Sequence, residues 1–136
     1  MSKMIFVNLP VADLPKAMGF YTALGFTNNP HFTDETAACM VWSESIMVML
    51  LTHAKWQSFT DRPIPPSTSS EVMIAITLDS RDAVNALVDA GAAAGEPAAL
   101  NPPQAHGFMY QRTLADPDGH IWDPFGMDPA AVPPQD

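Results

Sequence analysis

The sequence predicts an α+β fold made of two βαβββ modules in tandem, and three observations support this. A stretch at residues 5–26 is repeated at residues 72–93, so the two copies begin 67 positions apart, at residues 5 and 72. Each copy opens with the alternation typical of a strand and continues with the spacing of an amphipathic helix. A segment rich in Pro, Ser and Thr separates the copies, as is typical of a connection between modules.

The opening strand of each copy has one uniformly aliphatic face and one mixed face. The aliphatic faces carry Val7, Leu9 and Val11 in the first copy, and Ile74, Ile76 and Leu78 in the second. The mixed faces carry Phe6, Asn8 and Pro10, and Met73, Ala75 and Thr77. Because an amphipathic helix follows each strand, we expect the aliphatic face to pack under that helix and the mixed face to point elsewhere.

The helix in each copy has recognisable ends. We expect Asp13 to cap the first helix and Gly25 to end it. In the second copy, Asp79 or Ser80 is the expected cap and Gly91 the expected end. The apolar stripes of the two helices consist of Leu14, Ala17, Met18, Tyr21 and Leu24, and of Val84, Leu87 and Val88.

Three further strands are predicted after each helix. Their approximate ranges are 26–32, 37–43 and 46–52 in the first copy, and 96–100, 107–114 and 120–125 in the second. Asp116-Pro117-Asp118-Gly119 is expected to join the last two strands as a hairpin turn, because Pro presets φ and Gly accepts a positive φ. We therefore expect one domain over residues 1–127, with modules at 4–56 and 70–127, a linker at 57–69 and a flexible tail at 128–136.

Composition excludes several classes of partner. The net charge is −9 and only six residues are basic, so we expect no binding to nucleic acid or to anionic membranes. No apolar run approaches the roughly 20 residues that span a bilayer, and the N-terminal residues do not resemble a signal peptide. The single cysteine, Cys39, can form no internal disulfide and has no base beside it in the sequence. We expect a cytoplasmic protein in which Cys39 is a small core residue.

Two motifs carry a resemblance to a known superfamily. FVNLPVADLPKAMGFYTALGF near the start and DPDGHIWD near the end resemble the vicinal oxygen chelate superfamily. That superfamily includes glyoxalase I, extradiol dioxygenases, and bleomycin- and fosfomycin-resistance proteins. The resemblance covers residues 4–127 and implies that each module curls its sheet into a half-open trough, with the two troughs enclosing a shared cavity. It also implies a homodimer.

The resemblance implies four positions where metal-dependent members carry a ligand, on the first and last strand of each module. These positions fall on Phe6, Met73, Asp123 and either Met49 or Leu50. Phe and Leu offer no donor atom, and the Met thioether is a soft ligand suited to Cu(I). Catalytic sites for borderline cations need about three protein ligands, so we expect no metal site and no metal cofactor.

Asp123 is the strongest candidate for chemistry. It shares a strand face with Ile121 and Phe125, and a carboxylate among apolar side chains can act as a general base or anchor a ligand. The alternative is a structural pairing with Arg112 or the linker. His106, expected at the start of a strand, is a second candidate acid or base, and the alternative is an ordinary loop histidine.

Two functional hypotheses follow. The first is a metal-independent protein that binds an apolar or aromatic compound in a cavity lined by Met and Phe. Its expected ligand-binding residues are Phe6, Asn8, Met49, Met73, Tyr110, Arg112 and Asp123. The second is a divergent glyoxalase-like lyase or isomerase, or a dioxygenase relative, that uses Asp123 as acid/base, assisted by His106, or as a metal ligand. The hypotheses differ in whether Asp123 recognises a ligand or takes part in a reaction.

Overall fold

The computed structural model describes residues 3–94, 103–106 and 109–127. The chain divides into two compact units, Met1–Ser69 and Ser70–Asp136. Each unit contains one sheet and follows the order strand, helix and then further strands, which confirms the predicted α+β class and the two βαβββ modules. Among the described helices, none is long and apolar enough to cross a membrane.

The first unit is a four-stranded sheet with two α-helices. Its elements are β1 (Ile5–Val11), α1 (Leu14–Leu24), β2 (Thr27–Asn29), β3 (Ala37–Ser43), β4 (Ile46–Thr52) and α2 (His53–Phe59), with a 3-10 turn at Pro30–Phe32. The strand order is β1-β4-β3-β2, in which β1 runs parallel to β4 and the other pairs are antiparallel. Both β3 and β4 have the predicted bounds.

The predicted ends of α1 are confirmed, and so is its predicted buried stripe except at one position, where Phe20 is buried and Met18 is only half-buried. The Asp13 side chain accepts a hydrogen bond from the Lys16 backbone N–H at 3.0 Å, and Gly25 takes a φ of 109° just after the helix. The buried residues of α1 are Leu14, Ala17, Phe20, Tyr21 and Leu24. On β1, Leu9 and Val11 are buried, whereas Asn8 on the mixed face is exposed. The aliphatic face therefore packs into the core, as expected.

The second unit has a five-stranded sheet and one helix in its described part. Its elements are β5 (Met73–Leu78), α3 (Arg81–Ala94), β6 (Gln104–His106), β7 (Met109–Gln111), β8 (Leu114–Ala115) and β9 (Ile121–Met127). The order is β5-β9-β7-β6, with β8 also paired to β9, and β5 runs parallel to β9. The strand predicted near 96–100 and the tail at 128–136 lie outside the described residues.

The structure differs from the expected elements in several places. Within the strand expected over 107–114, the described residues form two strands, β7 and β8, and β6 at Gln104–His106 was not expected. Of the strand expected near 26–32, residues 27–29 form β2 and Pro30–Phe32 form a 3-10 turn.

Helix α2 was not expected, and it spans the end of the expected first module and the start of the expected linker; its first turn is capped by Thr52 Oγ1 accepting from the Lys55 N–H at 3.2 Å. No Pro or Gly interrupts the chain there before Pro63. In α3, the helix continues past Gly91 to Ala94, because Gly91 is buried within the helix and three helix-favouring alanines follow it. Ser80, rather than Asp79, caps α3 by accepting from the Ala83 N–H at 3.1 Å.

The hairpin turn before β9 is confirmed. The Asp116 carboxylate is buried and accepts hydrogen bonds from the backbone N–H groups of Asp118 and His120, each at 2.9 Å. Gly119 takes a φ of 87°, a left-handed conformation that favours glycine. The turn brings β8 antiparallel to β9, and it therefore sets where each β9 side chain points.

A glycine controls the close approach of β9 to α3. A Cβ on Gly126 would lie 3.0 Å from both the carbonyl carbon and the oxygen of Ser80, which are backbone atoms and cannot rotate away. We expect Gly126→Ala to lower the free energy of unfolding by about 1–3 kcal/mol through overpacking. Urea denaturation measures this change.

Gly19 provides the matched control. A Cβ on Gly19, which lies within α1, would have no atom within 4 Å, and alanine favours the helix. Gly19→Ala should therefore raise the free energy of unfolding by about 0.5–1 kcal/mol. Equal stability of Gly126→Ala and the wild type would show that β9 can move away from α3 at no cost.

Candidate functional site

A cavity in the first unit is the candidate ligand site. Its volume is about 300 Å³, and its lining residues are Asn8, Leu51, Trp56, Phe59 and Thr60. They come from β1, the end of β4, and α2 with the residue that follows it. Ligand pockets have volumes of roughly 300–1,000 Å³, so this cavity suits a small compound. Asn8 is the one expected ligand-binding residue among these lining residues.

The pairing of β1 with β4 determines which side chains share the face of Asn8. In this parallel pair Asn8 lies opposite Met49, and Phe6 lies opposite Met47. Leu50 lies opposite Leu9 on the other face, where both are buried. Of the two candidates for the last-strand position, Met49 therefore shares the mixed face with Phe6 and Asn8, and Leu50 belongs to the core.

Helix α2 supplies the aromatic side of the cavity. Trp56 and Phe59 are three residues apart and so lie on neighbouring positions of the helix surface. Trp56 is half-buried, whereas Phe59 is 67% exposed and has the Lys55 Nζ 5.3 Å from its ring centroid. Trp56 and Phe59 were not among the ligand-binding residues predicted from the sequence. The signal was a capping residue, Thr52, followed by two aromatic residues at helical spacing.

Asp123 lies on the mixed face of the second unit, as expected. It is opposite Ala75 in the parallel β5–β9 pair, and Met73 is opposite Ile121 on the same face. The Asp123 side chain is half-buried, and its Oδ1 accepts a hydrogen bond from the Thr113 hydroxyl at 2.6 Å. Thr113 is itself buried, so this hydrogen bond holds the carboxylate in one orientation.

Tyr110 and Arg112 were expected to contribute to a ligand site together with Asp123, but the structure places them on the opposite face of the sheet. The Tyr110 hydroxyl donates to Asn85 Oδ1 at 2.7 Å, and an Arg112 Nη donates to the same oxygen at 3.2 Å. Arg112 also lies 3.5 Å from Asp89 Oδ1. Asn85 and Asp89 belong to α3, which packs on the face away from Asp123. The alternation of side chains along the strand showed that Tyr110 and Arg112 lie on one face of the sheet. It did not show whether that face lies against α3 or on the side of Asp123.

The remaining candidates lie at strand ends. Phe6, near the start of β1, is 51% exposed, and Met73, at the start of β5, is 67% exposed. Residue His106 is the last of β6 and pairs with Met109 of β7. Both Phe6 and Met73 thus lie on the mixed face of their own unit, at matching positions of the repeat.

Cys39 lies opposite Met49 on β3 and is 2% exposed. Burial raises the pKa of the Cys39 thiol, because the thiolate would lose its hydration. The thiol therefore stays protonated at neutral pH, which is the state of a core cysteine and not of a nucleophile.

The metal-ligand positions implied by the resemblance do not offer a suitable donor set. Phe6 has no donor atom, and Met49 and Met73 have only thioethers, which leaves Asp123 as the one hard ligand. Within residues 3–94, 103–106 and 109–127, no group of three His, Cys, Asp or Glu side chains could hold a metal ion. These residues do not fit a zinc, nickel or iron centre, which needs about three such ligands.

Comparison with known proteins agrees with the fold. A family model described as bleomycin resistance protein-like N-terminal matches residues 3–43. No curated protein sequence matches the chain significantly.

Among solved structures, hypothetical protein SA1046 from S. aureus has a TM-score of 0.77 and 26% identity, over 93% of this chain and 95% of that one. A glyoxalase/bleomycin resistance protein/dioxygenase family enzyme from Burkholderia phytofirmans PsJN has a TM-score of 0.75 and 16% identity, over 93% and 99%. A bleomycin resistance determinant encoded on the transposon Tn5 has a TM-score of 0.65 and 19% identity, also over 93% and 99%.

The match to the family model covers β1, α1, β2 and β3, which are the elements that open the first module. The structural similarities extend over nearly the whole chain and include both copies of the repeat. Over residues 3–43 the chain is similar to the bleomycin resistance protein-like N-terminal family, and its fold is that of the solved glyoxalase, bleomycin-resistance and dioxygenase structures.

Proposed function

We propose that this protein binds a small apolar or aromatic molecule in the cavity of the first unit, without a metal ion. The observation that carries the proposal is the cavity of about 300 Å³, which combines the Trp56 and Phe59 rings with the exposed amide of Asn8. Small-molecule sites are mostly apolar pockets with a few polar groups that fix orientation. Aromatic rings supply large contact area, and they stack on a ligand ring with a defined geometry.

The mixed faces support the same function. Phe6 and Met49 extend the face that carries Asn8, and methionine side chains adapt to ligands of varied shape. Met73 and Asp123 occupy the corresponding face of the second unit, where the held carboxylate can accept a hydrogen bond. The similarity to a bleomycin resistance determinant, at 19% identity, is consistent with a binding role.

Charge and composition argue against two classes of partner and support one location in the cell. A net charge of −9 with six basic residues repels nucleic acid and anionic membranes, so neither is proposed as a partner. With one cysteine in the chain and that cysteine buried, a reducing cytoplasm is the proposed location.

A second candidate function is acid/base catalysis by Asp123, as in a glyoxalase-like lyase or isomerase. The observation that favours it is the hydrogen bond of 2.6 Å from the Thr113 hydroxyl, which holds one carboxylate oxygen and leaves the other available. A base must be held within hydrogen-bond reach of the proton it removes, and this arrangement provides such positioning.

We also propose that the protein is a homodimer. Four apolar residues on the outermost strands β1 and β5, or just before β5, are between 51% and 67% exposed: Ile5, Phe6, Val72 and Met73. Clusters of exposed apolar side chains on sheet edges are usually covered by a partner, and a second copy would cover both.

The ligand-binding role of the cavity can be tested at Phe59. Phe59→Ala removes one aromatic wall, so the affinity for an uncharged bicyclic aromatic compound should fall about tenfold by isothermal titration calorimetry. Phe32→Ala is the matched control, because Phe32 is 68% exposed against 67% for Phe59, belongs to the same unit and does not line the cavity. Equal losses in the two variants, or no loss in either, would refute the cavity as the ligand site.

Another prediction concerns metal content. Elemental analysis of protein purified without chelators and without a nickel column should find zinc, nickel and iron far below one ion per chain. The reason is that the implied ligand positions offer one hard donor, Asp123. Near-stoichiometric metal would contradict the proposal and favour the enzyme candidate, with Asp123 as a ligand.

A further prediction concerns assembly. The mass of one chain is 14.7 kDa. Light scattering at micromolar concentration should give twice that mass. Phe6→Lys combined with Met73→Lys should shift the mass toward that of one chain, since charged residues on edge strands oppose association. A wild-type mass of one chain would rule out the dimer.

A further inference from the structure

We propose that the ligand of this cavity is an uncharged, planar compound of two fused rings that carries an amide-type edge, in which a carbonyl stands next to an N–H. This inference rests on the proposed function and deepens it by naming the class of compound. Three properties of the lining carry it: the absence of charge among the five lining residues, the aromatic walls, and the position of the Asn8 amide.

The lining selects an uncharged ligand. Its five residues are an amide, an aliphatic side chain, two aromatic rings and a hydroxyl, and none of them bears a charge. A carboxylate or ammonium group that entered the cavity would lose part of its hydration without meeting an opposite charge among the described lining residues. The nearby cation, the Lys55 Nζ, lies over the Phe59 ring at 5.3 Å from its centroid and is not a lining group.

The shape selects a flat ring system. Trp56 and Phe59 project from neighbouring positions of α2, and each offers an aromatic surface to a ligand ring. Offset stacking and edge-to-face contacts on such surfaces favour planar aromatic compounds. A volume of about 300 Å³ lies at the lower end for ligand pockets, which suits two fused rings better than a long chain or a large macrocycle.

The polar group selects an amide-type edge. Thr60 already accepts a hydrogen bond from the Arg62 N–H at 3.2 Å, whereas the Asn8 side chain has no hydrogen-bond partner within the described part of the chain. A side-chain amide carries a donor and an acceptor side by side. A cyclic amide presents the complementary pair on one edge, so it can form two hydrogen bonds with Asn8 in a single plane.

A matched series of bicyclic compounds tests this inference. The probes are 2-quinolinone, which has the amide edge, naphthalene, which has the same ring size without it, and 2-naphthoate, which adds a negative charge. Binding is measured by calorimetry on the wild type and on Asn8→Leu, which keeps the size of the side chain but loses both hydrogen-bonding groups. Asn8→Ala serves as a second variant, and Asn8 is exposed, so both should fold.

We expect Asn8→Leu to weaken 2-quinolinone about tenfold and naphthalene less than about twofold, because only the first compound loses hydrogen bonds. We expect 2-naphthoate to bind the wild type more weakly than 2-quinolinone. Equal effects of Asn8→Leu on 2-quinolinone and naphthalene would overturn the amide edge, and tighter binding of 2-naphthoate would overturn the uncharged ligand.

Failure of the inference and failure of the proposed function give different results. If naphthalene binds and Phe59→Ala weakens it while Asn8→Leu weakens neither compound, the cavity is a ligand site and the amide edge is wrong. If none of the three compounds binds to the wild type in a way that Phe59→Ala weakens, the proposed function fails and this inference fails with it.

Discussion

The parallel pairing of the first and last strand is the constraint on which each unit depends. It aligns β1 with β4 and β5 with β9 residue by residue, so the period-2 alternation of both strands coincides. One face of each sheet then buries aliphatic residues against a helix. The other face carries the mixed set, which includes Asn8 in the first unit and Asp123 in the second. A shift of one residue would move Asn8 or Asp123 into the core and expose a row of aliphatic side chains. The same pairing that stabilises the fold therefore also determines which residues can meet a ligand.

The two units use this shared plan differently. In the first, α2 crosses beside the mixed face and converts part of an exposed sheet into a cavity with aromatic walls. In the second, the polar feature is a single carboxylate held by Thr113. Tyr110 and Arg112 contribute to the packing of α3 instead. The side chains on the mixed faces of the two copies thus differ while the backbone repeat is kept, as is common when one scaffold serves many functions.

Much of the fold could be predicted from the sequence because its patterns are local. The apolar runs at 37–43 and 46–52 and the turn between them gave the bounds of β3 and β4. Helix α2 was missed because the Pro, Ser and Thr of residues 60–70 dominated the composition of the whole segment. The faces of Tyr110 and Arg112 could not be predicted, because alternation relates residues to one another and not to a helix that contacts them through space. Met49 and Leu50 could not be separated, since a continuous apolar strand has no polar residue to mark its outer face.

The junction between β4 and α2 contains no loop residue, because Thr52 is both the last residue of the strand and the cap of the helix. The direction in which each α2 side chain points is therefore fixed by the orientation of the last residues of β4. Each α-helical residue turns the chain by about 100°. One residue inserted at this point would therefore rotate the Trp56 and Phe59 rings away from the sheet, while the strand pairing of the sheet would stay the same. We expect chains of this fold with a longer junction to keep the scaffold and lose this aromatic wall, so the length of the junction is a criterion for sorting such sequences by pocket type.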